Sequence, residues 1–159
     1  LCPTDYHRYH YPDSGRHVGM FDLGGSLHSV NPIALAKKPN VFGTNHRRIS
    51  YLTTSNFGRL AYVEVGAMGV GRIVQTHDEH ANFSRGDEKG HFAFGGSTIL
   101  VFGQPGYWRP DDDLLANTAE ERETFVKLGN TVASSTRRSA ERGKVVTTGA
   151  GETYTVPRG

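Results

Sequence analysis

Ser97 stands where a hydroxyl could attack its own backbone. It follows Gly95-Gly96 and, through Thr98, opens the apolar run Ile99-Leu100-Val101-Phe102. Two residues without Cβ allow conformations that other residues resist, and they let another group approach the peptide closely. The bond at stake is Gly96–Ser97. Taken alone, the tetrapeptide favours a plainer reading, a β-bulge or tight turn entering a core strand. A serine hydroxyl is a weak nucleophile and needs a base within hydrogen-bond reach. His7 and His10, in Asp5-Tyr6-His7-Arg8-Tyr9-His10, are the candidates, because imidazole titrates near neutral pH. On a strand, positions three apart face opposite sides, whereas on a helical turn they share a face. Either both rings reach one site from a turn, or each has its own task. Asp5 is an acid at hand to orient an imidazole. The Thr98 hydroxyl or nearby backbone N–H groups are candidate donors to an oxyanion at the Gly96 carbonyl.

The elements that must hold these groups read mostly as short strands. His17–Leu23 has strand character, Gly24-Gly25 suits a hairpin turn, and Ser26–Val30 is the expected return. Ile33–Ala36 is too short to be more than a turn. Arg48–Thr53 and Arg59–Val65 flank Ser55-Asn56-Phe57-Gly58, a good hairpin signal. Gly71–Gln75 is a further strand, and Thr98–Phe102 is short and apolar enough for a buried one. Thr118 and Glu121 fit a capping box. A short helical turn is expected near Asp112–Asn117, with a strand over the β-prone Glu123–Leu128. From Thr131 onward Ser, Thr, Gly and Arg replace the apolar periodicity, so residues 131–159 read as a polar, flexible tail. The fold class is mainly β: an antiparallel β sandwich or barrel-like domain with few short helices.

The chain has 159 residues, which suits one domain with a real core. Lys plus Arg number 18 against 16 Asp plus Glu, a net charge of +2 that gives no nucleic-acid footprint. The single Cys2 excludes an intrachain disulfide and a multi-cysteine metal site. His7 and His10 with His46, His77 or His80 lack diagnostic zinc spacing, so no metal is expected. No run approaches the ~18 apolar residues of a membrane span, and no signal peptide is seen. Gly66–Gly71 resembles a phosphate loop but lacks the lysine and the following helix, so tight packing is its better explanation. Asn45 and Arg47 are candidates to bind a substrate carboxylate or phosphate, with a structural turn an equal alternative. Arg137-Arg138 reads as a solvated pair.

Tyr6-His7-Arg8-Tyr9-His10 and the later Gly96-Ser97-Thr98 step together resemble the phosphatidylserine decarboxylase family. Other segments agree in family order: Ser29-Val30-Asn31-Pro32, Phe42-Gly43-Thr44-Asn45-His46-Arg47 with His46 in place of the usual acid, Val65–Gly71, and Gly86–Phe92. The resemblance covers residues 1–130 and implies a catalytic domain there. It implies a carboxy-lyase made as a zymogen. The chain would cut itself at Gly96–Ser97, turn Ser97 into a pyruvoyl group, and convert phosphatidylserine to phosphatidylethanolamine with release of CO₂. It places His10 with the cleavage serine and His7 with decarboxylation. It further implies that the two pieces stay associated, that the enzyme works on phospholipid at a membrane surface (the cytoplasmic side in a bacterium), and that a homo-oligomer is an open expectation. The opening on Leu1 reads as a piece of a longer protein whose upstream part, in the family, holds an acidic partner and membrane-contacting helices. Gly95, where many members have leucine, resembles a branch with soluble amino-acid decarboxylases. A free L-amino acid such as tryptophan is therefore the alternative substrate. A non-catalytic β-sandwich carrier or binding module is the second alternative.

Overall fold

The computed structural model describes residues 1, 4–68, 72–93 and 97–136, with the backbone of 144–147 and 153–156. Gly95, Gly96 and Arg137-Arg138 lie outside the described residues. The chain divides into two units, Leu1–Gly103 and Gln104–Gly159.

The first unit runs β1 (Arg8–His10), β2 (Gly15–Leu23), α1 (Pro32–Lys37), α2 (Val41–Thr44), β3 (Arg47–Thr54), β4 (Gly58–Gly66), β5 (Arg72–Gln75), β6 (Glu88–Ala93) and β7 (Ser97–Gly103). Its strands form two antiparallel sheets, ordered β1-β6-β5 and β2-β3-β4-β7. They share one core. Tyr9 and Phe92 from the smaller sheet meet Leu52, Leu60 and Tyr62 from the larger, with Tyr11 and Phe83 from loops beside them. Tyr11 stacks on Phe83 with ring centroids 3.8 Å apart.

The period of two explains the larger sheet. Leu60, Tyr62 and Glu64 of β4 alternate with Ala61 and Val63, so the first three project inward. The β3–β4 hairpin turns through Ser55-Asn56-Phe57, and Gly58 closes it with φ at 71°, a left-handed conformation that glycine adopts freely. Asp13, 1% exposed, ties this turn down. Its carboxylate accepts the Asn56 backbone N–H at 2.6 Å, the Asn56 side-chain amide at 2.8 Å and Arg85 at 2.9 Å. Burial alone would raise the Asp13 pKa, but these donors outweigh it and hold the carboxyl below its ordinary value.

The second unit holds β8 (Trp108–Pro110), α3 (Asp112–Ala119), β9 (Ala133–Ser135), β10 (Lys144–Thr147) and β11 (Thr153–Val156). β8 pairs with β9, and β10 with β11, both antiparallel.

Several local expectations change. Ser26–Val30 is not a returning strand: Ser26 makes one isolated bridge to Asn45, and β2 pairs with β3 instead. Ile33–Ala36 lies in a helix, because Asn31 accepts the Ile33 N–H at 2.9 Å as an N-cap and Pro32 sits in the first turn. The helical turn near Asp112–Asn117 extends to Ala119, and Thr118 and Glu121 fall at its end rather than capping a start. Glu123–Leu128 forms no strand. Phe125 and Leu128 are 84% and 67% exposed, and β-prone residues need a pleated neighbour to pack against. Within 131–159, Ala133–Ser135 and the β10–β11 backbone are strands.

Candidate active site

Ser97 heads β7, directly across from Gly66 at the end of β4. It is 0% exposed, and its Oγ has no hydrogen-bond partner among the described residues. Its carbonyl accepts a hydrogen bond from the Leu1 nitrogen at 2.9 Å, which brings the opening of the chain beside it. The facing residue is fixed from the other side. Gly66 N–H donates to the His46 carbonyl at 2.9 Å, and the Gly66 carbonyl accepts from the Asn45 side-chain amide at 2.9 Å. Asn45 also accepts from the His28 N–H at 3.0 Å and donates to the His28 carbonyl at 2.7 Å. Fully buried, Asn45 has both donors engaged in holding backbone. Arg47 donates to the Asn45 carbonyl at 3.1 Å. Both residues thus brace the strand end facing Ser97.

The two histidines have different surroundings. His7 lies just before β1, its carbonyl accepting from the Phe92 N–H at 3.0 Å. Arg8–His10 is a strand, with an irregularity between Tyr9 and His10, so no helical turn brings the two rings together. His7 Nδ1 lies 2.7 Å from the Asp5 carbonyl, which can only accept, so Nδ1 carries the proton. Nε2 is then the basic nitrogen. It is buried, and no hydrogen bond reaches it from the described residues. The Asp5 carbonyl is thus a hydrogen-bond partner of the imidazole. In His10 both nitrogens are engaged: Nδ1 donates to the Gly86 carbonyl at 2.9 Å, and Nε2 accepts from the Tyr6 hydroxyl at 3.0 Å. Thr98 pairs with Val65 and, by alternation along β7, points to the opposite face from Ser97.

One feature escaped the sequence reading. Lys89 of β6 reaches Glu64 of β4 across the interior at 2.5 Å, and both side chains are 0% exposed. Lys89 also donates to Gln75 Oε1 at 2.6 Å, and Gln75 donates to the Tyr9 hydroxyl at 2.9 Å. Burial pushes the Glu64 carboxyl up and the Lys89 amine down, each toward neutrality, against their mutual attraction. The available signal was a lone acid inside Leu60-Ala61-Tyr62-Val63-Glu64-Val65, a segment buried along most of its length. Arg48, register partner of Glu64, forms a two-pronged ion pair with Asp22, one contact at 2.7 Å. Asp22, Arg48 and Gln75 line a cavity of about 420 Å³ with Met20, His77 and Glu79.

Among the described residues no group of three or more His, Cys, Asp or Glu is arranged to hold a metal ion. None of the described helices is long and apolar enough to cross a membrane.

The family described as phosphatidylserine decarboxylase matches residues 1–134. A phosphatidylserine decarboxylase proenzyme of Clostridium botulinum (strain Langeland) is 44% identical over 134 residues, covering 84% of this chain and 45% of that protein. The proenzyme of the same name from Ruminiclostridium cellulolyticum is 44% identical over 134 residues, again 84% of this chain and 45% of its own length. That of Clostridium tetani is 46% identical over 132 residues, 83% of this chain and 44% of its own length. The chain thus spans less than half the length of these curated relatives. With the family pattern matched from the opening histidines through the Ser97 strand and beyond, the chain belongs to the phosphatidylserine decarboxylase family.

Proposed function

We propose that this chain is the catalytic region of a pyruvoyl-dependent phosphatidylserine decarboxylase that cuts itself between Gly96 and Ser97. One observation carries the proposal: in a chain of this family, the Ser97 hydroxyl is fully buried at the head of a strand and unbonded among the described residues. A buried hydroxyl without a partner costs free energy, and such orphans call for an explanation such as chemistry still to come. Ser97 Oγ attacks the carbonyl carbon of residue 96, and the peptide becomes an ester. Loss of the Ser97 α-proton and rupture of its Cβ–O bond then free the residue 96 carboxylate and leave a dehydroalanine, whose imine tautomer takes up water and loses ammonia to give the pyruvoyl ketone.

Two features support a group formed at Ser97: its side chain is fully buried, and the opening segment offers in His7 an unbonded Nε2 on a ring held by the Asp5 carbonyl. The pyruvoyl group supplies an electron sink for the loss of CO₂ from an amino-acid carboxylate. His7 Nε2, once protonated, returns a proton to the substrate α-carbon. His10 takes the Ser97 proton during cleavage, for which its Nε2 must first release the Tyr6 hydroxyl. The substrate's acyl chains stay in the bilayer, so the protein works at the membrane surface.

Intact mass spectrometry of the full-length protein tests this. The expected result is two polypeptides from the parent and one from Ser97→Ala, with CO₂ released from phosphatidylserine vesicles by the parent alone. A single unbroken chain, equally active with and without the Ser97 hydroxyl, overturns it. CO₂ released from free L-tryptophan and not from vesicles overturns the lipid substrate while leaving the cleavage intact.

A further inference from the structure

Three polar atoms are left over on the same inner face of the larger sheet, Ser50 Oγ, Glu64 Oε2 and Ser97 Oγ, and the last belongs to the proposed cleavage step. Glu64 stands opposite Ile99 in the β4–β7 ladder, and Ser97 stands two residues before Ile99, opposite Gly66. Ile99 packs against the core, so Ser97 and Glu64 both project inward as diagonal neighbours. Diagonal pairs on one sheet face lie about 7 Å apart, within reach of a long side chain. Both side chains are 0% exposed. Ser97 Oγ and Glu64 Oε2 each lack a hydrogen-bond partner among the described residues, while Glu64 Oε1 is taken by Lys89. One atom is a hydroxyl that must donate, and the other is a carboxylate oxygen that can only accept.

A buried ion pair is weak evidence for a stabilising role, because apolar residues of similar size often do as well. A pair that also leaves one carboxylate oxygen unsatisfied is costlier still, which points to a second use for that oxygen. We infer that Glu64 is a positioning residue for Ser97: a side-chain rotation brings these two unbonded atoms together so that Oε2 accepts the Ser97 hydroxyl, while Lys89, itself held by Gln75, keeps the other carboxylate oxygen in place. This rests on Ser97 being the cleaving nucleophile. The bond to Glu64 aims the oxygen lone pairs at the carbonyl carbon of residue 96. To react, the hydroxyl turns its single proton from Glu64 Oε2 to the His10 imidazole, which takes it as the Oγ–C bond forms. As the C–N bond breaks, the Ser97 nitrogen takes that proton back. The peptide becomes its ester isomer with no co-reactant.

The charged and titratable groups facing Glu64 are Lys89 from β6, Arg48 from β3, Tyr9 from β1, Tyr11 from the loop after it and Tyr62 on its own strand. β7 contributes Ile99 and β5 contributes Gln75, neither of which titrates. Burial raises the Glu64 pKa, so cleavage in the parent slows in acid as Glu64 takes up a proton, starting above the ordinary carboxylate range.

The test is the time course of chain splitting in the full-length protein. Glu64→Gln is expected to slow splitting about ten- to hundredfold and to lose this acid limb of the pH profile. The double variant Glu64→Leu with Lys89→Met removes both charges together and so leaves none unpaired; it is expected to melt near the parent and to split as slowly as Glu64→Gln. Ser97→Ala stays whole. If the folded double variant splits at the parent's rate with the parent's pH profile while Ser97→Ala stays whole, the role of Glu64 is overturned and the nucleophile stands. If Ser97→Ala itself splits, both fall.

Discussion

The side-chain amide of Asn45 donates to the carbonyl of Gly66 at 2.9 Å, and Gly66 is the residue that faces Ser97 across the ladder. Asn45→Ala strands that carbonyl together with the N–H and carbonyl of His28 in a buried setting. The expected loss is about 2–3 kcal/mol of stability, read from urea midpoints at constant slope. Splitting of the full-length chain should slow in parallel, because the strand end opposite Ser97 loses its brace. A midpoint unchanged from the parent would show that Asn45 holds nothing there.

The unlike surroundings of His7 and His10 predict separable defects. His10→Gln is expected to leave the full-length chain whole on a gel. His7→Gln is expected to split normally yet release CO₂ about 10²–10⁴ times more slowly, the usual worth of a general acid or base. The reverse pattern would exchange the two roles, and the free Nε2 of His7 would then mark it as the base for cleavage.

Gly90 has no room for a side chain. A Cβ there would meet the Val74 carbonyl oxygen and sit 2.6 Å from the Tyr9 hydroxyl, which itself bonds to Val74 and Gln75. Gly90→Ala is expected to cost about 2 kcal/mol, seen as a melting temperature lower by about 10 °C. An unchanged melt would mean that β5 and β1 yield more readily than their hydrogen bonds suggest.

His17 predicts how stability falls in acid. Burial lowers its pKa from its ordinary value of 6.5 to about 4, with the charges of Lys89 and His77 adding to the effect, and the Tyr11 hydroxyl hydrogen-bonds its Nε2 at 2.7 Å. Between those values the unfolded chain binds a proton that the folded chain refuses. Stability is therefore full above about pH 6.5 and is lost as the pH falls toward 4. Because the ring is only half-buried, the effect is on the order of 1–2 kcal/mol. Urea midpoints at pH 7, 5.5 and 4.5 should fall in the parent and flatten in His17→Gln. Asp13 adds a later loss at lower pH, since its pKa lies below the ordinary value.

The sequence made the hairpin around Asn56 legible because a period-two pattern and a glycine in the turn coincide there, and Asp13 then locks what the pattern proposes. It also pointed to Ser97 and the two histidines, whose chemistry is written in residue type. The return of Ser26–Val30 was misread because Gly24-Gly25 can serve any bend, and only the pairing of β2 with β3 decides which strand comes next. The helix at Pro32–Lys37 was missed because four small apolar residues look inert until the Asn31 cap is counted. Glu64 and Lys89 are 25 positions apart, and nothing in either neighbourhood announces the other. Their meeting is a property of how two sheets face, which local patterning does not encode.

β7 joins β4 by seven consecutive register pairs, from Leu60 with Gly103 to Gly66 with Ser97. A chain severed just before Ser97 would therefore be a heterodimer whose interface is an interior. Its unfolding would change molecularity: the severed form should melt at a temperature that rises with protein concentration, whereas the uncut chain's melting point should not depend on it.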